Sequence, residues 1–447
     1  MLFSSFEFLF LFLPSFLAAW LCCPKRWRYV VLLLFSLLFY GLSAPRALPL
    51  LVLSGAVHYG LGRLAARKRR LGVWLAVVFD VLLLAFFKYY DALAAALGWS
   101  VLGLSLPTGL SFYSFSALSY VIDVSRGEAV EKDALRFGAY FTFFPKLLSG
   151  PITRYSTLRE GLLLGESDYG RAARGIGRFV CGLSKKLLLA APASEAWGYL
   201  RAASVADRGA LGSWLALVFF ALWLYYDFSG YTDMALGLGE LLGLSLPENF
   251  NYPYIAHSPR DFWRRWHITL SSWFRDYVYI PLGGSRCALP RTLFNLLCVW
   301  VLTGLWHGST LNFLLWGLYW FLLLALARLL PKALTEHLPR ALGRALMIPV
   351  ILISWLIFAF EDMGEGLGFF RALFSGELLP ALARYELLRY LPFLAVALFG
   401  VTPLPRRLFE RYAKGRALSV LLCVCGFLLS LAYLVGGTHQ PFLYLKF

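Results

Sequence analysis

The sequence predicts an all-α integral membrane protein with roughly ten to twelve membrane helices, some of them re-entrant or broken. Three observations lead to this fold class. Hydrophobic residues make up 60% of the 447-residue chain, and the mean hydropathy of +0.67 exceeds what a soluble core can cover. The apolar residues are gathered in runs that are long enough for membrane helices. The net charge of +17 lies largely in short loops between these runs.

The N-terminal part contains four apolar segments, which cover residues 9–21, 29–42, 48–61 and 73–87. Basic loops follow the first and the third segment, and 67–70 is the most basic loop of the chain. Because basic loops stay in the cytoplasm, we place both there and the N-terminus outside. Residues 1–7 carry no basic side chain, so we expect the first segment to be an uncleaved span.

The following segments are less regular. The stretches 110–121 and 137–148 are short and contain small or polar residues and Pro145, which favours tilted or re-entrant helices. A polar, basic region up to Arg178 is expected at a membrane surface. No internal repeat or low-complexity linker is present, so we predict one membrane domain covering residues 1–447. Further spans are predicted at 179–196, 211–226, 346–360, 391–401 and 418–435.

Residues 292–327 form a run of 36 residues without Asp, Glu, Lys or Arg. The run is too long for one crossing and too short for two comfortable ones. His307 lies within it, in a polar break that also contains Gly308, Ser309 and Thr310. A helix over 293–306 would reach only about 21 Å, so the break is expected at membrane depth.

An ionisable residue at that depth is a functional candidate. Ser309 or Thr310 would cap the next helix, and the positive end of that helix would keep the His307 ring neutral and able to accept a proton. The alternative is a structural histidine that bonds a backbone carbonyl.

The stretch 258–279 predicts an amphipathic helix with Ser258 as its N-cap and Pro259 at the first position. A helical wheel places Arg264 and His267 on one cationic stripe, with an aromatic stripe nearly opposite. The stripe suits either an anionic ligand, such as a phosphate-bearing acyl donor, or lipid headgroups alone.

A third polar group, Asp227, Ser229 and Asp233, closes the apolar span that ends near Tyr226. On a helix the two carboxylates lie about 240° apart around the axis, so they are not a paired acid and base. One is expected to pair with the arginines of the 258–279 helix, as a structural contact or as a proton or cation relay.

The sequence does not indicate nucleic-acid binding or a metal site. No basic stretch interleaved with aromatic residues indicates nucleic-acid binding, and none of the seven cysteines shows metal-site spacing. No metal and no bound cofactor are expected. The remaining histidines are predicted at loop or span-end positions without comparable surroundings; they are His58, His257, His337 and His439.

Several blocks of the chain resemble, in the right order, the membrane-bound O-acyltransferase family and its bacterial branch of alginate O-acetylation and teichoic acid D-alanylation proteins. The blocks are 106–113 (LPTGLSFY), 144–152 (FPKLLSGPI), 227–234 (DFSGYTDM), 250–254 (FNYPY), 262–270 (FWRRWHITL), 279–286 (YIPLGGSR) and 304–308 (GLWHG), with the short aromatic ending 440–447.

The resemblance implies that His307 is the catalytic base in a membrane-buried funnel and that His267 is the second histidine. Arg264 and His267 are assigned to donor binding or oxyanion support. Trp306, Asp227, Ser229 and Asp233 complete the predicted substrate contacts.

The resemblance also implies an acyl thioester donor on the cytoplasmic side, acyl-CoA or an acyl carrier protein, and an exported polysaccharide as the acceptor. A separate secreted or membrane-anchored O-acetyltransferase is the expected partner, since no soluble module is fused here. The predicted location is the cytoplasmic membrane, in contact with its lipid.

Two alternatives remain open. The first is D-alanyl transfer to teichoic acids from a carrier protein. The second is a transporter or flippase, because a broken helix with a buried histidine also suits transport. A transporter predicts paired interrupted spans in pseudo-symmetric positions, which the sequence does not show.

Overall fold

The structure, a computed structural model, describes residues 1–164, 167–331 and 339–436, and within them it contains helices and no strand. His337, His439 and the ending 440–447 lie outside the described residues. The α-helices, numbered in chain order, are α1 (Leu13–Cys22), α2 (Arg28–Ser43), α3 (Leu48–Arg67), α4 (Arg69–Leu97), α5 (Leu110–Ser125), α6 (Ala134–Phe141), α7 (Phe144–Leu147), α8 (Tyr155–Leu164), α9 (Tyr169–Ser184), α10 (Ala191–Ala202), α11 (Val205–Leu241), α12 (Pro259–Trp263), α13 (Ile268–Phe274), α14 (Leu289–His307), α15 (Leu311–Leu329), α16 (Arg340–Ala359), α17 (Met363–Ala372), α18 (Ala381–Gly400), α19 (Leu404–Tyr412) and α20 (Ala417–Gly436).

Short π-helical turns cover Glu7–Phe12, Lys185–Ala190 and Arg275–Tyr279, and 3₁₀ turns cover Lys25–Trp27, Pro45–Ala47 and Pro253–Ile255.

Eight helices of the described chain are long and apolar enough to cross a membrane, and a ninth span results if α18 and α19, bent by 74°, are taken together. The eight are α2, α3, α4, α11, α14, α15, α16 and α20. The all-α polytopic fold is therefore confirmed. The span number is lower than the sequence suggests, in part because the apolar stretches 110–121 and 137–148 form short helices: α5 has 16 residues and α7 has four.

Helix ends follow local sequence rules. Asp133 caps α6 by accepting from the backbone N–H groups of Leu135 and Arg136. Ser258 caps α12, its Oγ lying 3.2 Å from Asp261 N, which confirms the predicted N-cap. Gly98 ends α4 in the left-handed conformation that glycine tolerates.

The contacts divide the chain into two compact units. Among described residues the first covers 1–183 and 231–248, apart from 165–166, and the second covers 184–230 and 249–436, apart from 332–338. Helix α11 contributes to both. The single domain of 1–447 stays a prediction.

Each unit has an aromatic core. In the first unit Phe144 is surrounded by the rings of Phe12, Phe16 and Phe39 at centroid distances of 5.3–5.5 Å. In the second unit the core is rich in tryptophan. Phe262 stacks on Trp320 at 5.0 Å, and Trp266 lies 4.8 Å from Trp355. These packed rings hold the helices of each unit in fixed positions.

The structure corrects the placement of His58. The sequence placed it at a span end, but α3 extends to Arg67 and His58 lies in the middle of this helix, wholly buried. Its Nε2 lies 3.1 Å from Asp80 Oδ2 on α4, and its Nδ1 lies 2.8 Å from the Ser54 carbonyl. This buried pair therefore joins two membrane helices of the first unit.

Candidate active site

The candidate site lies in the second unit, where α14 and α15 form a closely packed hairpin. An added Cβ at Gly317 would lie 2.4 Å from the Trp300 carbonyl oxygen, and one at Gly304 would lie 2.6 Å from the Phe313 carbonyl oxygen. Only glycine permits this backbone approach. The hairpin turn contains Gly308 and carries His307 at its start.

The hairpin corrects the expectation for 292–327. Helix α14 starts already at Leu289 and α15 continues to Leu329, so each has 19 residues and is a candidate span of its own. The break after His307 is confirmed, but it joins two helices of spanning length and does not have to lie at membrane depth.

Replacing Gly317 by alanine is expected to lower the thermal unfolding midpoint, because the new methyl group collides with backbone and not with a flexible side chain. Overpacking of this kind costs about 1–3 kcal/mol. The matched control is Gly198→Ala on α10, where an added Cβ meets nothing within 4 Å and helix propensity favours alanine. Equal midpoints for the two variants would contradict this view of the hairpin.

His307 is 4% exposed and lies in a cage of aromatic rings. Trp316 and Phe358 present their edges at centroid distances of 4.9 and 5.2 Å, and Phe313 lies nearly parallel at 6.2 Å. The neighbouring Trp306 ring completes the cage at 4.6 Å. These rings shield His307 from solvent on several sides.

The expected helix-dipole effect is only partly present. Thr310 occupies the N-cap of α15, but its side chain makes no capping hydrogen bond. His307 is also the last residue of α14, whose negative end favours a positive charge. The neutral state of the His307 ring stays a prediction.

His267 interrupts the helix that the sequence predicts over 258–279. Helix α12 ends at Trp263, and His267 has φ 43° and ψ 54° before α13 begins at Ile268. A left-handed backbone is unfavourable for a residue with a Cβ. The single helix with one cationic stripe is therefore wrong, because the chain turns at His267.

This turn buries His267, which is 1% exposed. The edge of its ring lies against Phe228 of α11 at a centroid distance of 4.9 Å. His267 lies outside the candidate spans, and burial lowers its pKa to about 3. Its ring is therefore neutral in ordinary buffers.

Trp306 connects the two histidines. Its ring centroid lies 4.6 Å from that of His307 and 6.2 Å from that of His267. The structure thus brings together three of the predicted site residues, two imidazoles with an indole beside both.

Asp227 and Ser229 lie on the same stretch of α11 as Phe228, and both are buried. Asp227 forms an ion pair with Lys186, which is also buried. The sequence predicted a cation from the 258–279 segment. Lys186 instead belongs to the π-helical turn that follows α9. This pairing supports a structural role for Asp227, and substrate binding by Asp227 and Ser229 stays a prediction.

Asp233 belongs to the first unit, where Arg178 bridges it and Glu248. Arg178 Nη2 lies 3.0 Å from Asp233 Oδ1 and 2.6 Å from Glu248 Oε2. Arg264 is exposed at the end of α12. Substrate contacts of Asp233 and Arg264 also stay predictions.

Sequence reasoning missed Asn249 and Lys186. Asn249 is completely buried and its side-chain oxygen lies 3.1 Å from His267 Nδ1. It directly precedes the block 250–254, but its neighbours Glu248 and Asn251 are polar too, so no local pattern distinguishes it. Lys186 lies 41 residues from Asp227, so no local spacing indicates the pair.

Comparison with known proteins identifies the family. The model of MBOAT, the membrane-bound O-acyltransferase family, matches residues 108–361, which include both histidines and Trp306. The chain belongs to the membrane-bound O-acyltransferase family. It is therefore an O-acyltransferase and a multi-pass membrane protein, and the transporter alternative is not supported.

Relatives of this acyltransferase differ in what they modify. The chain is 36% identical to a probable alginate O-acetylase of Azotobacter vinelandii, over 84% of this chain and 78% of the relative. It is 30% identical to a peptidoglycan O-acetyltransferase of Helicobacter pylori, over 82% of this chain and 78% of the relative. A teichoic acid D-alanyltransferase of Bacillus subtilis is 29% identical over 56% of this chain and 67% of the relative.

Proposed function

We propose that this membrane O-acyltransferase moves an acetyl group from a cytoplasmic thioester donor towards hydroxyls of an exported cell-surface polysaccharide, with His307 as the general base. The observation that carries the proposal is the buried, caged His307 beside Trp306 and His267. The acetyl group is favoured because the O-acetylating relatives match more of the chain than the D-alanyltransferase does.

The chemistry needs one group that accepts a proton and returns it. The acceptor hydroxyl attacks the thioester carbonyl, the C–O bond forms, the C–S bond breaks, and the hydroxyl proton ends on the departing thiol. A neutral imidazole accepts the proton as the oxygen attacks and then donates it to the thiolate. His307 in its aromatic cage suits both steps because apolar surroundings keep the resting ring unprotonated.

The proposal includes an extracytoplasmic O-acetyltransferase as partner, which would pass the acetyl group to the polymer. The alternative is D-alanyl transfer from a carrier protein to teichoic acid. It is kept because the Bacillus subtilis relative, a teichoic acid D-alanyltransferase, aligns with 56% of this chain.

The two donors can be compared in one experiment. The purified protein in nanodiscs receives radiolabelled acetyl-CoA or a D-alanyl-loaded carrier protein, each with a hydroxyl-bearing polysaccharide and with or without a candidate partner. We expect acetyl transfer above the level of protein-free nanodiscs. Transfer from the D-alanyl carrier alone would replace the acetyl proposal by the alternative.

The same experiment in sealed proteoliposomes tests the side of the donor. Acetyl-CoA does not cross bilayers, and the exposed loop 67–70 marks one face for limited trypsin cleavage. We expect transfer only when acetyl-CoA is on the face that exposes this loop. Transfer from the opposite face would contradict a cytoplasmic donor.

A further inference from the structure

Asn249 holds His267 in a way that determines which ring nitrogen carries the proton. The Asn249 side-chain oxygen accepts three hydrogen bonds, from the backbone N–H of Thr269 at 3.1 Å, from the Thr269 hydroxyl at 2.9 Å and from His267 Nδ1 at 3.1 Å. Asn249 is 0% exposed, so no solvent competes for this oxygen.

The orientation of the Asn249 amide follows from these contacts. A backbone N–H can only donate, so the atom facing Thr269 N must be the amide oxygen and not the amide nitrogen. An amide oxygen can only accept, so His267 Nδ1 must carry a hydrogen. In the neutral ring Nε2 then has a lone pair, and every group that bonds Nε2 must be a donor.

The backbone of the same segment supports this arrangement. The Asn249 carbonyl accepts from Ile268 N at 3.0 Å, and Asn251 N donates to the Arg265 carbonyl at 2.9 Å. These two bonds lie on either side of His267 and hold its left-handed conformation in place. Asn249 therefore fixes the position of the ring as well as its proton.

We propose that Asn249 is a positioning residue for acyl transfer, which keeps His267 in the Nδ1–H tautomer so that His267 acts as a hydrogen-bond acceptor. This inference rests on the proposed function. Two roles were predicted for His267, oxyanion support and binding of the acyl donor. Oxyanion support requires an N–H at Nε2, whereas binding of the acyl donor through one of its hydroxyl or amide N–H groups requires a lone pair there. The tautomer selects the second role.

The tautomer is testable without any activity. Protein labelled with ¹⁵N-histidine is placed in nanodiscs, and His267→Gln identifies the ring signals of this residue. We expect a protonated Nδ1 and an unprotonated Nε2, and a mixture of tautomers in Asn249→Leu. A protonated Nε2 in the wild type, or an unchanged spectrum in Asn249→Leu, would overturn the proposal.

The role in transfer is tested by kinetics on the same variants. Asn249→Leu removes the accepting oxygen and is expected to lower kcat/KM about tenfold or more. Asn249→Asp keeps an accepting oxygen and should retain most of kcat/KM at neutral pH. Its carboxylate raises the pKa of His267, so the loss of activity on acidification begins at a higher pH than in the wild type.

These outcomes separate the possible failures. A purely structural Asn249 would lower the unfolding midpoint in both variants and leave the pH profile unchanged, which would overturn the proposal. A normal kcat/KM in Asn249→Leu would also overturn it. Absence of transfer by the wild type with every donor would count against the proposed function, and the ¹⁵N spectrum would still decide the tautomer.

Discussion

Replacing His307 by glutamine is expected to lower kcat for acyl transfer by about 10²- to 10⁴-fold, the usual contribution of a general base. Glutamine has a polar side chain that fits a similar space, but it cannot take up the proton of an attacking hydroxyl at neutral pH. Because the aromatic cage remains, we expect little change in KM or in the unfolding midpoint. The measurement is kcat and KM in nanodiscs together with thermal unfolding.

The matched control is His257→Gln. His257 lies outside the aromatic cage, its side chain is 42% exposed, and it contacts Asp261 at 2.9 Å. We expect its kcat to stay within about twofold of the wild type, as is typical of exposed positions. Equal losses in both variants would show that the assay reports general damage, and full activity of His307→Gln would remove the general-base assignment.

Replacing Lys186 by methionine is expected to lower the free energy of unfolding by about 3–5 kcal/mol, because it removes the cation that pairs with the buried Asp227 carboxylate. Lys186 is 4% exposed and Asp227 is 1% exposed. The double variant Lys186→Met with Asp227→Leu replaces both charges by apolar groups of similar volume and should regain most of the loss. Thermal or denaturant unfolding in detergent micelles measures both effects.

A pair on the protein surface provides the control for Lys186. Arg174 lies 3.9 Å from Glu240 and its side chain is 65% exposed. Arg174→Gln should change the free energy of unfolding by less than about 1 kcal/mol. If Lys186→Met costs no more than this control, or if the double variant is no better than the single one, the buried pair does not stabilise the second unit as described.

Patterns of local sequence predicted much of this fold. The apolar runs predicted membrane helices, the polar break predicted that a helix ends at His307, and Ser258 predicted the start of α12. Each of these features depends on residues that are close in sequence, so hydrophobic periodicity and capping rules suffice.

The features that were missed depend on distant residues. The helical wheel assumed a straight helix through His267, but the hydrogen bonds of Asn249, 18 residues earlier, stabilise a left-handed turn there. Asp227 pairs with Lys186, and His58 on α3 contacts Asp80 on α4. Tertiary contacts of this kind override local preference and leave no periodic signal.

In the candidate site, too, some residues were predicted from local sequence and others are known only from the fold. His307, His267 and Trp306 were predicted from a motif and from the resemblance, and the structure brings their rings together. The cage residues Trp316 and Phe358 could not be selected among 15 tryptophans and 38 phenylalanines without the fold. Their role follows from position and not from residue type.

In the proposed reaction His307 is the general base for acyl transfer from a thioester to a hydroxyl. The most direct test of this role measures labelled acetyl arriving on the acceptor in nanodiscs that contain wild type or His307→Gln, with acetyl-CoA and the D-alanyl carrier tested in parallel. We predict transfer from acetyl-CoA by the wild type and its loss in the folded variant. Transfer at the wild-type rate by His307→Gln would contradict the account.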